Sequence, residues 1–403
     1  MSFFGSLFEK KVADASALTW TELLGGPTSK SGVTVNEDRV LRMSVAFACC
    51  RVVCEDIGKL PLKLMQESGK KKDVARKHSL HKVLSRRPNQ WQTSMDWRMQ
   101  MLLHALLTKG GYSFISRSPK DRSVLELIPL MPGNVQVNQS ANYEITYEVS
   151  DGRGKIATLT RDQVHSIHGL SWDGVSGLEL ITYGAEAFGL TIATEETQAR
   201  MHGQGARPGG VLTTDNVLSD KQIQRIKDQF STGYAGVQNA FKTLLLDNGL
   251  KFEPWQMKGV DGQHLETRKH QIEEVCRFFR VFPSMIGASD KTATYASAES
   301  FFGAHVSHTL MPWAVNWEQA MDRDLLSEEE QDAGYYTSLP LNGLLRGDSK
   351  SRSEFYSSGI NDGWMTRNEA RSFEDMNPLP GLDEVLQPKS MAPSTEEPDD
   401  SEE

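Results

Sequence analysis

Cysteine is scarce. Cys49, Cys50, Cys54 and Cys276 are the only four in 403 residues. Three of them fall within six positions of one apolar segment, where helical spacing leaves no long loop to close. A disulfide scaffold is therefore excluded as the organising framework. Small buried hydrophobes in a reducing compartment are the simplest reading. A zinc site is the sharper one, but there is no C-x2-C pair and no histidine nearby in sequence. Long apolar runs are also missing: nothing approaches the ~18–20 residues that a bilayer span needs. The opening MSFFGSLFEKK has neither a basic n-region nor the apolar core of a secretory signal. These absences predict a chain made and kept in a cytoplasm, with no membrane partner.

The signatures of nucleotide and nucleophile chemistry are absent too. No G-x-x-x-x-G-K-[ST], G-x-G-x-x-G or G-x-S-x-G occurs. Gly203-Gln204-Gly205 runs into Arg207-Pro208-Gly209-Gly210, where Pro208 blocks a phosphate-binding helix start. ATP hydrolysis is not expected of this chain, and no cofactor is implied. Positive charge is in deficit as well, with a net charge of −9 and a mean hydropathy of −0.45. Residues 393–403 (PSTEEPDDSEE) carry six acids and no base, so the remainder is near −3. Such a tail has almost no apolar surface to bury and reads as disordered. An acidic body does not suit tight gripping of DNA, which needs many Lys and Arg on phosphates. It remains compatible with a channel through which DNA slides.

With 403 residues, two or three packed units are expected. Residues 1–35 have weak periodicity and read as a mobile arm. Residues 44–57 form an apolar helix, capped by Ser44 and stopped by Gly58 and Pro61. A strand over 60–67, a turn over 68–72 and a return over 74–77 follow. The turn and return carry Lys70, Lys71, Lys72, Arg76 and Lys77, read as a solvated tip. A helix over 93–109 opens with a Thr93/Asp96 capping box and has Met99, Leu102, Leu103 and Leu106 as its stripe. Strands are predicted over 112–117, 124–129, 135–137, 145–149 and 164–167. The segment 178–201 is a helix with one small side, on which Gly184, Ala185, Gly189 and Ala193 suggest close approach of another helix. Glycine there costs ~1 kcal/mol each relative to alanine.

The segment 203–257 reads as a small α/β module. It has a Ser219/Gln222 capping box, an Ile223, Ile226 and Phe230 stripe, and strands over 243–246 and 251–253. A helix over 264–282 returns, with Leu265, Ile272, Cys276 and Phe279 on one face. Residues 283–297 are loop-like. A long helix over 298–326 follows, kinked by Pro312. A strand over 335–341 and helices over 348–358 and 366–376 complete the ordered chain, the last opening with a Thr366/Glu369 box.

Few residues invite chemistry. His165 and His168 lie in a predicted strand and point to opposite faces, which disfavours a shared metal. His305 and His308 share a helix face, but no neighbouring acid or cysteine completes a site. Asp322 and Asp324 diverge by about 160° on a helix. In the run 86–91 (RRPNQW), Pro88 stops a helix, and Trp91 is expected to pack on the next helix start as a staple.

Five stretches in register carry a resemblance. They are FACCRVVCEDIGKLPLKL, HSLHKVLSRRPNQWQTSMDWRMQMLLHALLTKGGYSF, GARPGGVL, the run 290–326 with its ATY and LMPW motifs, and LNGLLRGDSKSRSEFYSSGI. From about residue 40 to 380 the chain resembles the portal proteins of tailed bacteriophages. The resemblance implies an α+β portal-type fold. Its parts are a wing (36–177), a first stem helix (178–202), a clip (203–258) and a second stem helix (259–283). A tunnel loop (284–297), a kinked wing helix with a strand (298–343) and crown-side helices (344–380) follow, with an acidic tail over 381–403. It also implies a dodecameric ring in the virion, at the portal vertex of the head. DNA would pass along the axis, with the terminase motor, major capsid protein and head-completion or tail adaptor as partners.

On this basis Ser289, Asp290, Lys291, Thr292, Thr294 and Tyr295 are expected in the DNA channel. Gly184, Ala185, Gly189 and Ala193 are expected between subunits, and Lys221, Lys227 and Tyr234 on the docking surface of the clip. No catalytic residue and no metal is implied. The alternative from another class is a cytoplasmic, metal-dependent nuclease whose acids converge only in three dimensions.

Overall fold

The computed structural model describes residues 26–69, 71–151, 156–203, 211–214, 219–233, 251–253, 260–288, 295–341, 344, 349–374 and 376–386. The chain divides into two units, Met1–Leu339 and Pro340–Glu403.

In the first unit, Asn36 caps a short helix α1 (Glu37–Arg42), its Oδ1 accepting from Arg39 N at 2.9 Å. Helix α2 (Ser44–Gly58) follows directly. Ser44 is its first helical residue and not its cap, because Met43 occupies the capping position and is buried. Gly58 is the last helical residue. A Cβ there would lie 2.7 Å from Met99 Cγ, so the glycine permits close approach to the helix carrying Met99. Strand β1 (Lys63–Ser68) turns at Gly69, whose φ is +63°, into β2 (Lys71–Val74). This turn is tighter than the predicted 68–72 turn, so Lys71 and Lys72 pair with Ser68 and Glu67 instead of forming a loop tip.

Helix α3 (Ser79–Ser85), the helix expected before Pro88, is capped by His78 Nδ1. Helix α4 (Ser94–Leu107) has the predicted Thr93/Asp96 box. Its buried line is Trp97, Met101 and Ala105 with Leu102; of the predicted stripe only Leu102 is buried, and Met99, Leu103 and Leu106 are half-buried. The helix is rotated so that Trp97 Nε1, fully buried, donates to Ser113 Oγ at 2.9 Å. Trp91 is 61% exposed and staples nothing. Asn89 fixes this loop instead. Its Oδ1 accepts from Gln92 N and its Nδ2 donates to Leu127 O at 3.0 Å.

Six strands follow: β3 (Gly111–Arg117), β4 (Val124–Leu130), β5 (Val135–Gln139), β6 (Ile145–Ser150), β7 (Ile156–Thr160) and β8 (Val164–Ile167). The sequence reading lacked only β7. They form two antiparallel sheets, β4-β3-β8 and β5-β6-β7. A cluster of Tyr112, Leu130, Tyr147, Val149, Leu159 and Val164 joins them.

The predicted helix over 178–201 is broken. Helix α5 (Leu180–Tyr183) is capped by Gly184, and α6 (Ala185–Gly203) starts afresh. Strand β9 (Val211–Thr213), helix α7 (Asp220–Gly233) and strand β10 (Lys251–Glu253) lie between α6 and α8 (Val260–Phe279), with β9 antiparallel to β10. The predicted strand over 243–246 lies outside the described residues. Helix α8 begins before the predicted 264 and ends at Phe279, where Arg280 adopts φ +55°.

The long helix is α9 (Tyr295–His305), a π-helical turn over Val306–Leu310, and α10 (Met311–Leu325). The disturbance expected at Pro312 is thus absorbed just before it. Proline has no N–H for His308 O, and the widened turn lets Met311 N reach Val306 O. Helix α11 (Glu328–Asp332) and strand β11 (Tyr335–Ser338) close the unit, with β11 pairing β1 in the order β11-β1-β2.

In the second unit, helices α12 (Ser349–Asn361) and α13 (Arg367–Phe373) match the two predicted there, although α13 stops before 376. The Thr366/Glu369 box caps α13. Buried Asn368 then holds the chain beyond it, donating to Leu379 O and Asp383 Oδ1 and accepting from Leu379 N. Among the described residues, no helix is long and apolar enough to cross a membrane.

Candidate functional site

Helices α6 and α8 form an antiparallel pair rooted in the first unit. Phe188 is fully buried and meets Phe278 and Phe279 at centroid distances of 5.3 and 6.3 Å. Further along, Gln271 Nε2 donates to Thr194 Oγ1 at 3.0 Å. Val275, Cys276 and Phe279 are buried, whereas Glu266, Thr267, Arg268, Lys269 and His270 are exposed. The pair therefore leaves the core between these positions, and β9, α7 and β10 lie beyond that exit in sequence. Ile223 on α7 is 39% exposed and Lys221 is exposed.

The small residues of α6 divide by role. Gly184 ends α5, and a Cβ there would lie 2.5 Å from Phe188 Cε2. Ala185 is buried and Ala193 half-buried. Gly189 meets Ser29 of the same chain: a Cβ would lie 2.2 Å from Ser29 Oγ and 2.4 Å from Ser29 Cβ. The segment around Ser29 is pinned there by Lys30 N, which donates to both oxygens of Glu186. The reason for this glycine is thus an intramolecular contact, which packs the Ser29 part of the predicted arm on α6. Gly189→Leu should expel the Ser29 segment and lower stability by about 1–3 kcal/mol. Limited proteolysis would show this as new cleavage over 26–35; an unchanged digest would count against the contact.

Two buried His–Asp pairs tie the long helix to the body. His305 Nε2 lies 3.2 Å from Asp56 Oδ2, and Asp56 also accepts from Lys59 Nζ at 2.6 Å. His165 Nδ1 lies 3.1 Å from Asp324 Oδ2, which also accepts from Ser166 N and from Arg323. Burial pushes both aspartates up. The bonds from His305 and Lys59 to Asp56, and from Arg323 and His165 to Asp324, outweigh it and leave both below the usual carboxylate value. No acid close in sequence marks His305 as paired, because Asp56 is 249 residues away.

The His165–Asp324 pair has the orientation of a catalytic dyad but not its surroundings. His165 Nε2 is buried without a hydrogen-bond partner, and Trp97 and Trp317 pack on the ring at 5.7 and 5.8 Å. Among the described residues, no Ser, Thr or Cys is hydrogen-bonded to its Nε2 as a nucleophile would be. Nearby, a groove of about 1390 Å3 mixes Arg117, Arg122 and Arg161 with Asp121, Asp162 and Glu330. Arg117 is committed to Asp324 O at 2.8 Å, and Arg122 to Asp162 at 3.0 Å. Among the described residues, no group of three or more His, Cys, Asp or Glu could hold a metal.

Of the expected channel residues, Ser289, Asp290, Lys291, Thr292 and Thr294 lie outside the described residues, and Tyr295 opens α9. Lys221 and Lys227 both lie on α7, and Tyr234 falls outside the described residues.

The comparisons agree with this architecture. The family model of the phage portal protein matches residues 44–375. The chain is 26% identical over 380 residues to the portal protein of Enterobacteria phage HK97, covering 92% of this chain and 88% of that one. It is 29% identical over 392 residues to the probable portal protein of Streptomyces phage phiC31, covering 93% and 84%. Among solved structures it is similar to a chain from the neck of a native gene transfer agent particle computed with C12 symmetry. That match has a TM-score of 0.55 and 20% identity, covering 86% of this chain and 95% of the other. The nuclease alternative finds no support among these relatives, and the chain belongs to the phage portal protein family.

Proposed function

We propose that the chain is the subunit of a dodecameric portal ring, a structural conduit for double-stranded DNA at one vertex of a virion head. The observation that carries this reading is the family match over 44–375. A ring in which each copy meets a different face of its neighbour is a heterologous assembly, closed by rotation. The neck particle computed with C12 symmetry, whose chain shares this fold, favours a closed ring of twelve.

In this reading, α6 and α8 are the stem, and the module over 203–258 is the clip. The segment 284–297 is the tunnel loop that faces DNA. Lys291 is the only base among residues 284–297; one charge touches a phosphate without holding it, as sliding requires. The terminase motor and the later head-completion or tail adaptor dock on the clip, and the major capsid protein surrounds the ring.

A packaging reaction tests this. Lys291→Ala with Thr292→Ala should leave rings intact but lower the DNA content of filled heads. Lys221→Ala with Lys227→Ala should leave rings intact but weaken terminase capture. Normal filling and normal capture would remove both assignments.

A further inference from the structure

Cys49 on α2 and Cys276 on α8 are 227 residues apart in sequence, yet their Sγ atoms lie 3.8 Å apart in the buried contact between these helices. Cys276 also lines a cavity of about 400 Å3, whose walls include Glu273, Arg277, Arg280, Phe282 and Thr309. Arg280 shapes this opening, ending α8 in the left-handed region at φ +55° and accepting on its carbonyl from Thr309 Oγ1 at 2.6 Å. Cys276 is therefore both next to a second thiol and on the wall of a cavity large enough for a small molecule.

We propose that Cys276 and Cys49 form a redox dithiol. A low-molecular-weight disulfide entering the cavity reacts at Cys276, and Cys49 resolves the adduct into a disulfide that latches α8 to α2.

The reaction balances as two exchanges. The Cys276 thiolate attacks one sulfur of oxidised glutathione and expels one glutathione thiolate, which takes up a proton. The resulting mixed disulfide is then attacked at the Cys276 sulfur by Cys49, which gives up its proton. The second glutathione thiolate leaves and accepts that proton. Two protein thiols are oxidised, and one glutathione disulfide becomes two thiols. Bridging requires the sulfurs to close from 3.8 Å to a bond of about 2.05 Å.

The four cysteines are not equivalent. The hydrogen bond between Cys49 and Cys276 holds the Cys276 thiol below its usual value against the opposing effect of burial. The same bond, with burial, pushes Cys49 up. Burial raises Cys50 to about 12 and Cys54 well above its ordinary value. Cys276 lines the cavity and Cys49 does not, so Cys276 reacts first. Arg280 at the cavity wall suits a carboxylate of glutathione, whereas Arg277 is paired with Glu273 and Glu274 at 3.5 and 3.6 Å.

The test uses the folded, full-length chain and oxidised glutathione. After incubation, free thiols are alkylated in denaturant and the peptides mapped without reduction. A Cys49–Cys276 cross-linked peptide with alkylated Cys50 and Cys54 is expected. Cys49→Ser should accumulate a glutathione adduct on Cys276, and Cys276→Ser should take none on Cys49. Amide exchange in α8 of the oxidised wild type should slow by on the order of ten- to a hundredfold, reversed by dithiothreitol. Four free thiols in the folded wild type, beside oxidation of the denatured chain, would overturn the proposal. So would a first adduct on any other cysteine, a bridge to Cys50 or Cys54, or a bridge that leaves α8 exchange unchanged.

Discussion

Asp324→Ala is expected to destabilise the first unit by about 3–5 kcal/mol, the cost of removing one partner from a buried ionic and hydrogen-bonded group. Asp324 is almost fully buried and serves three donors at once: the His165 ring, the Ser166 amide and the Arg323 guanidinium. Without the carboxylate, His165 keeps both nitrogens buried and unpaired, because Nε2 already has no partner. Urea unfolding of the wild type and variant measures the loss; a change below 1 kcal/mol would mean that the pair contributes little. Acid should produce part of the same effect. The folded value of Asp324 is depressed, as is that of Asp56. Their stabilisation is thus full above the unfolded value near ~3.9 and is lost as pH falls through the lower folded values. Wild-type stability should fall steeply below about pH 4, and less steeply in Asp324→Ala.

The second large effect concerns the paired tryptophans. Trp317→Ala should cost about 3–5 kcal/mol, through lost burial and a cavity between α10, α4 and β8. Trp317 is fully buried, 5.3 Å from Trp97 and 5.8 Å from His165. Phenylalanine separates the two tryptophans. Trp317 Nε1 is buried without a partner, so Trp317→Phe removes an unsatisfied donor and should cost less than about 1.5 kcal/mol. Trp97 Nε1 donates to Ser113 Oγ, which itself donates towards Met101 Sδ at 3.1 Å. Trp97→Phe leaves that buried hydroxyl without its donor and should cost more than Trp317→Phe. Denaturant midpoints that rank the two Phe variants the other way would contradict this bonding pattern.

Local signals were legible where a side chain and its partner are close in sequence. The Thr93/Asp96 and Thr366/Glu369 boxes predicted α4 and α13 because capping needs residues only three apart. Alternating apolar residues likewise located β3, β4, β6 and β8. Missed features depend on distant partners. Strand β11 was predicted, but its partner was not: it pairs with β1 from the other end of the unit, with Leu64 opposite Thr337. The rotation of α4 follows from Ser113 on β3, not from its own stripe. Gly189 looked like a helix-packing residue because sequence could not show Ser29 opposite it. Pro312 announced a disturbance, but only the geometry of the preceding turn showed that it is a π-helical one. The family resemblance was legible from about residue 40 to 380, against a family match over 44–375, because five motifs in order carry more information than any one of them. The channel and clip residues came from that resemblance alone.

The central claim is that this chain builds a closed ring, and the most direct test is the particle mass of the purified protein with its end-on view in electron micrographs. A hollow particle of about twelve times the 45.0 kDa chain mass, with twelvefold symmetry, is the expected result. A monodisperse 45.0 kDa monomer at every concentration, including in heads assembled with it, would contradict the account.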